Sequence, residues 1–148
     1  MRNEQPSRTA EYMALFRAVE TAEQPGRRLF DDPYAISLLS GTLKALAKIA
    51  HLPVVGRLVP IFLDLGWPCT RSSGVVRTRM IDDFVRGAIR AGTQQLVLLG
   101  AGFDSRAYRL DEAKDILVFE VDHPATQRTK RKRLNAGLGH LPENVRFV

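Results

Sequence analysis

Apolar and polar positions divide the chain into a helical front and a back half in which short apolar runs alternate with helices. Ala10, Met13, Phe16 and residues 17–20 follow intervals of three and four behind a cap at Ser7 or Thr9. Gln24-Pro25-Gly26 ends that helix. Asp31-Asp32-Pro33 reads as the start of a second helix, with Ile36, Leu38, Leu39, Leu43 and Leu46 on its apolar side. Residues 36–67 are the most apolar stretch, but Lys44, Lys48, His51, Pro53, Arg57 and Pro60 interrupt it. Two amphipathic helices broken at Pro53 are therefore expected rather than a membrane span. Residues 67–74 read as a loop. Over residues 75–91 helical spacing returns, with Val76, Met80, Phe84, Val85, Ala88 and Ile89 on one face and Arg77, Arg79, Asp82, Asp83 and Arg86 on the other. Gly92 is a good stop.

Beyond Gly92 the period changes. Residues 95–99 form a continuous apolar run of the kind buried in a parallel sheet, ending on Gly100. Residues 116–121 form a second, ending on Asp122. A short helix is expected between them over residues 105–113, another from Pro124 to about Gly137, and a third strand over residues 145–148. Strand, crossover, strand, helix, strand is the opening of a doubly wound α/β fold with helices added in front. Three strands leave apolar faces and an edge to cover, so the sequence is expected to be part of a larger sheet.

The bulk numbers narrow the classes. With 148 residues, 45% hydrophobic and 26% charged, the chain can build one domain with a core. The formal charge of +6 invites an anionic partner. The only basic cluster is Arg128, Lys130, Arg131, Lys132 and Arg133, read as a solvated helix face without interleaved aromatics, so neither nucleic acid nor membrane is expected as a partner. Residues 1–6 are polar and lack the apolar core of a signal peptide. The single Cys69 excludes an internal disulfide framework and fits a cytoplasmic setting. His51 and His140 lack partners at ligand spacing, so no metal site is indicated, and no catalytic side chain is assigned.

The chemistry concentrates between Leu96 and Asp122. Gly100-Ala101-Gly102 follows a buried strand, where open α/β sheets bind ligands. Such a turn also serves plain strand-to-helix geometry. Asp122, 22 positions beyond Gly100 at the end of the next strand, adds a carboxylate able to accept from a ribose diol. Position 105 is Ser where the dinucleotide fingerprint has its third glycine, which disfavours NAD and favours a cofactor with ribose and adenine but no phosphate. A nucleotide-binding oxidoreductase domain and a non-catalytic remnant stay as alternatives. Asp104 and Arg106 are read as pairing across the turn, and His123, just before Pro124, as serving the local turn rather than as a base.

Residues 98–110 (LLGAGFDSRAYRL) and 119–126 (FEVDHPAT), with 77–83 (RTRMIDD) and 29–35 (LFDDPYA), resemble the leucine carboxyl methyltransferase family, especially its bacterial branch of S-adenosylmethionine-dependent O-methyltransferases. The resemblance covers most of the chain. It implies a class I methyltransferase Rossmann-like sheet, here the first three strands (residues 75–148), preceded by an N-terminal helical lid (residues 1–74). It implies S-adenosylmethionine as cofactor and a carboxylate or hydroxyl oxygen on a small molecule as acceptor. Gly100 and Gly102 would line the methionine and ribose part, Asp122 the ribose hydroxyls, and Arg77 the cofactor carboxylate, with Arg79 and Arg8 as less favoured candidates. It also implies that the remaining strands belong to a complementing C-terminal half, without which the chain's own activity is in doubt.

Overall fold

The computed structural model describes residues 7–148; the polar segment 1–6 lies outside the described residues. Helix α1 (Arg8–Thr21) starts where Ser7 accepts a hydrogen bond from Ala10 N (3.4 Å). Helix α2 (Gly41–Ala50) and helix α3 (Leu58–Gly66) flank a 3-10 turn at Val55–Arg57, so the break around Pro53 is as expected. Gly56 is required there, because a Cβ on it would lie 2.2 Å from the Ala50 carbonyl oxygen. No single helix among the described residues is long and apolar enough to cross a membrane; α2 and α3 pass together only as a pair bent by 114°.

The segment after Asp32 departs from expectation. No helix starts at Pro33. Asp32 Oδ1 accepts from Tyr34 N and Ala35 N (both 3.1 Å), and residues 33–38 stay in turns. The aspartate satisfies the backbone locally and competes with helix propagation.

Helix α4 (Thr70–Arg90) begins inside the segment read as a loop, and its inward face also differs. Val76, Met80 and Phe84 are 57%, 64% and 76% exposed, whereas Thr78 and Asp82 are buried with Val75 and Val85. Asp82 turns the helix: Arg106 donates to its Oδ1 (2.7 Å), Arg109 donates to the same oxygen (2.7 Å), and a second nitrogen of Arg109 lies 2.7 Å from Oδ2. Apolar spacing alone points the wrong stripe inward because buried charge pairing outweighs it here.

The sheet comprises strands β1 (Gln95–Leu99), β2 (Leu117–Val121) and β3 (Val145–Phe147), parallel and in that order. Helix α5 (Arg106–Arg109) with a 3-10 turn (Asp111–Asp115) links β1 to β2, and helix α6 (Pro124–Leu138) links β2 to β3. His123 Nδ1 accepts from Ala125 N (3.2 Å) and caps α6, the local role expected of it. The register places Leu96, Val118 and Val145 side by side, and Leu98, Glu120 and Phe147 after them. This face joins the main core with Leu15, Phe16, Phe103, Tyr108 and Leu134. The opposite face is open: Val97 is 54% and Leu99 79% exposed.

The basic run on α6 is not one solvated face. Arg128, Arg131 and Lys132 are exposed, but Lys130 is buried against Glu120 (2.7 Å), and Arg133 reaches Glu11 (3.0 Å) and the Leu38 carbonyl. Burial outweighs the attraction of Lys130 and pushes the Glu120 carboxyl above its ordinary value.

Candidate functional site

At the carboxyl end of β1 a cavity of about 680 Å³ opens between the sheet, α1 and α4. That volume falls in the range of small-ligand sites. Arg77, Gly100, Gly102 and Asp122 all line it, together with Met13 of α1 and Leu99 of β1. Residues far apart in the chain thus converge on one space.

The loop after β1 needs its glycines. Gly100 and Gly102 have φ of +63° and +47°, a region in which a Cβ is strained. Nothing lies within 4 Å of the place a Gly100 Cβ would take, leaving that side of the turn free for a ligand. At Gly102 a Cβ would come within 3.2 Å of Ala10 on α1, which lines the same cavity. The loop is pinned by Ala101 N donating to Val121 O (3.1 Å) and Asp104 N donating to Ala101 O (2.7 Å).

Asp122 closes the arrangement from β2. Its Oδ2 accepts from Gly102 N and its Oδ1 from His123 N, both at 2.6 Å. Each carboxylate oxygen retains a further lone pair, so a partly exposed Asp122 can still accept from a diol. The sequence identifies the carboxylate but not its second job of holding the glycine loop.

Of the arginines lining the cavity, Arg17, Arg106 and Arg109 are ion-paired, whereas Arg77 has no ion-pair partner among the described residues and makes one weak hydrogen bond, to Met13 Sδ (3.7 Å). Arg79 is spent elsewhere, donating to Asp83 Oδ2 and to the Leu29 carbonyl (both 2.7 Å), and it is absent from the cavity lining. Arg8 is exposed on the first turn of α1 and does not line the cavity either. The expected Asp104–Arg106 pair is present: Asp104 accepts from Arg106 N (2.8 Å) and from its guanidinium. Burial opposes ionisation of Asp104, but Arg106, Arg17 and Lys130 together hold its carboxyl below the ordinary value.

These groups fit S-adenosylmethionine by chemistry: an unengaged guanidinium for a carboxylate, a carboxylate for a diol, and a glycine turn with one open side. No cluster of three or more potential metal ligands occurs among the described residues.

Comparison with known proteins bears on the family and the cofactor. The profile of the leucine carboxyl methyltransferase family matches residues 10–148. A protein of Mycolicibacterium gilvum named "Putative S-adenosyl-L-methionine-dependent methyltransferase" is 38% identical over 143 residues, covering 90% of this chain and 44% of that protein. A Mycobacterium marinum protein of the same name is 36% identical, covering 90% and 43%. A Frankia alni relative so named is 41% identical over 116 residues, covering 78% and 38%. The chain thus spans less than half the length of the curated relatives it matches.

Proposed function

The chain belongs to the leucine carboxyl methyltransferase family, whose members use S-adenosylmethionine, and on that premise we propose that it forms the cofactor-binding part of an enzyme methylating a carboxylate or hydroxyl oxygen. The convergence of Arg77, Gly100, Gly102 and Asp122 on one cavity carries this reading. When bound, S-adenosylmethionine supplies an electrophilic methyl group on a sulfonium that leaves without acid assistance. Arg77 would pair with the cofactor carboxylate, Asp122 would accept from the ribose hydroxyls, and the turn at Gly100 would let the ligand lie against the backbone. The chain's task is then to bind, orient and exclude water, and α1 forms part of the wall that does so.

The acceptor is a small molecule in this reading, and a C-terminal half completes its pocket. The lengths of the relatives favour such a half. Lys130 and Arg133 of the basic run are engaged by Glu120 and Glu11, which leaves Arg128, Arg131 and Lys132 as its exposed members and argues against a nucleic-acid partner at this helix. The free, exposed Cys69 accords with a cytoplasmic setting.

Calorimetric titration of S-adenosylhomocysteine into the chain tests the proposal. Saturable binding is expected, weakened by Asp122→Ala, with NAD inert. A folded chain that takes up neither S-adenosylmethionine nor S-adenosylhomocysteine would refute it.

A further inference from the structure

Beneath the glycine loop, three arginines and three aspartates alternate around a closed circuit. Arg17 of α1 donates from Nε to Asp32 Oδ2 (2.7 Å), and Ser105 Oγ donates to the same oxygen (2.5 Å). Arg109 donates to Ser105 Oγ (3.2 Å) and onward to Asp82, which Arg106 shares. Arg106 pairs with Asp104, and the circuit closes through the neighbouring residue, because Arg17 Nη2 donates to the Phe103 carbonyl (2.5 Å). The side chains of Asp32 and Asp82 are fully buried, and those of Arg17, Arg106 and Arg109 are nearly so.

We propose that Arg17 is a positioning residue for the cofactor loop, holding the Phe103 carbonyl so that Gly100 and Gly102 keep the shape that faces the cavity. This rests on the functional reading above. Neutralising Asp32 does not account for the second arm of Arg17: Asp32 already has the Ser105 hydroxyl and, at 3.9 Å, Arg109. The guanidinium fork supplies what a point charge cannot, one arm for the carboxylate and one for a backbone carbonyl. The helix that carries Arg17 also places Ala10 against Gly102 and Met13 beside Arg77. Loop and α1 therefore share one frame, and the buried Arg17, itself at the edge of the cavity, joins them.

Arg17→Lys keeps the charge and removes the fork. The expected result is a folded chain whose Gly102 and Asp104 amides exchange with solvent at least about tenfold faster. S-adenosylhomocysteine affinity is expected to fall by at least about tenfold, as loss of a charge-assisted bond predicts. The pair Arg17→Met/Asp32→Asn keeps the circuit neutral. It is expected to regain thermal stability relative to Arg17→Met alone while regaining neither loop readout. Wild-type exchange and affinity in Arg17→Lys, or recovery of both in the double variant, would overturn the assignment and leave only a charge-balancing role. Absence of ligand binding by the wild-type chain would instead overturn the proposed function, and the amide exchange of the ligand-free protein would still decide the role of Arg17.

Discussion

Replacing Lys130 by Met should expose how closely balanced the buried Lys130–Glu120 pair is. The side chains are 1% and 0% exposed, and Nζ lies 2.7 Å from Oε2, while Glu120 Oε1 has no hydrogen-bond partner among the described residues. At an effective dielectric of about 20, the attraction over 2.7 Å is about 6 kcal/mol. Desolvation costs several kcal/mol for each ion, so the intact pair contributes little net stability. Removing the lysine leaves a buried carboxylate, which escapes by taking up a proton. From its ordinary value of 4.5, protonation at pH 7.5 costs about 4 kcal/mol, and at pH 5 less than about 1 kcal/mol. The native state of the variant then holds a proton that the unfolded chain has released. Its stability falls as pH rises, by up to about 1.4 kcal/mol per unit, until the folded carboxyl ionises. Urea unfolding followed by far-UV circular dichroism at pH 5 and 7.5 reads this directly. Lys130→Met/Glu120→Leu should recover most of the loss at pH 7.5. A loss equal at both pH values, or below about 1 kcal/mol at pH 7.5, would refute the reasoning.

Three further outcomes are expected. Gly56→Ala should destabilise the chain by about 1–3 kcal/mol in the same unfolding assay, because its Cβ meets the rigid Ala50 carbonyl rather than a movable side chain. Arg77→Met should leave the melting temperature within about 1 °C of wild type, since among the described residues the guanidinium's one hydrogen bond is the weak one to Met13 Sδ, yet weaken S-adenosylhomocysteine binding at least about tenfold by calorimetry. The depressed carboxyl of Asp104 contributes stability above its ordinary value of 3.8 that is lost as pH falls through the lower folded value, so Asp104→Asn should lower stability at pH 7 and flatten the acid limb of a pH–stability curve.

Periodicity reveals the strands because β1 and β2 are unbroken apolar runs, and it reveals α1 and α6 because their ends carry a hydroxyl cap and a proline. It fails wherever a charge is drawn inside. Asp82 and Thr78 face inward on α4 while Met80 and Phe84 face out, since two arginines from α5 supply partners invisible to a window of sequence. Lys130 hides in a run that reads as solvated for the same reason: its carboxylate sits ten residues earlier on a strand. Asp32 reads as a helix cap but bonds the next two amides of a turn. The four cofactor candidates were legible from the glycine turn and the resemblance together, and the cavity gathers all four. Arg17 was not legible, because a helix position with apolar neighbours gives no sign that its guanidinium will cross to a carbonyl 86 residues later.

The alternating circuit under the loop has a consequence for the order of synthesis. Its last member is Arg109, and every partner it needs lies earlier in the chain. Translation delivers the N-terminal residues first, at about 5–20 residues per second. Arg17, Asp32, Asp82 and Arg106 are therefore all synthesised before β2, whose Val121 O receives Ala101 N and pins the turn. The two bonds that fasten the turn itself, Ala101 N to Val121 O and Gly102 N to Asp122 Oδ2, come from adjacent residues and arrive together, after the circuit's last member.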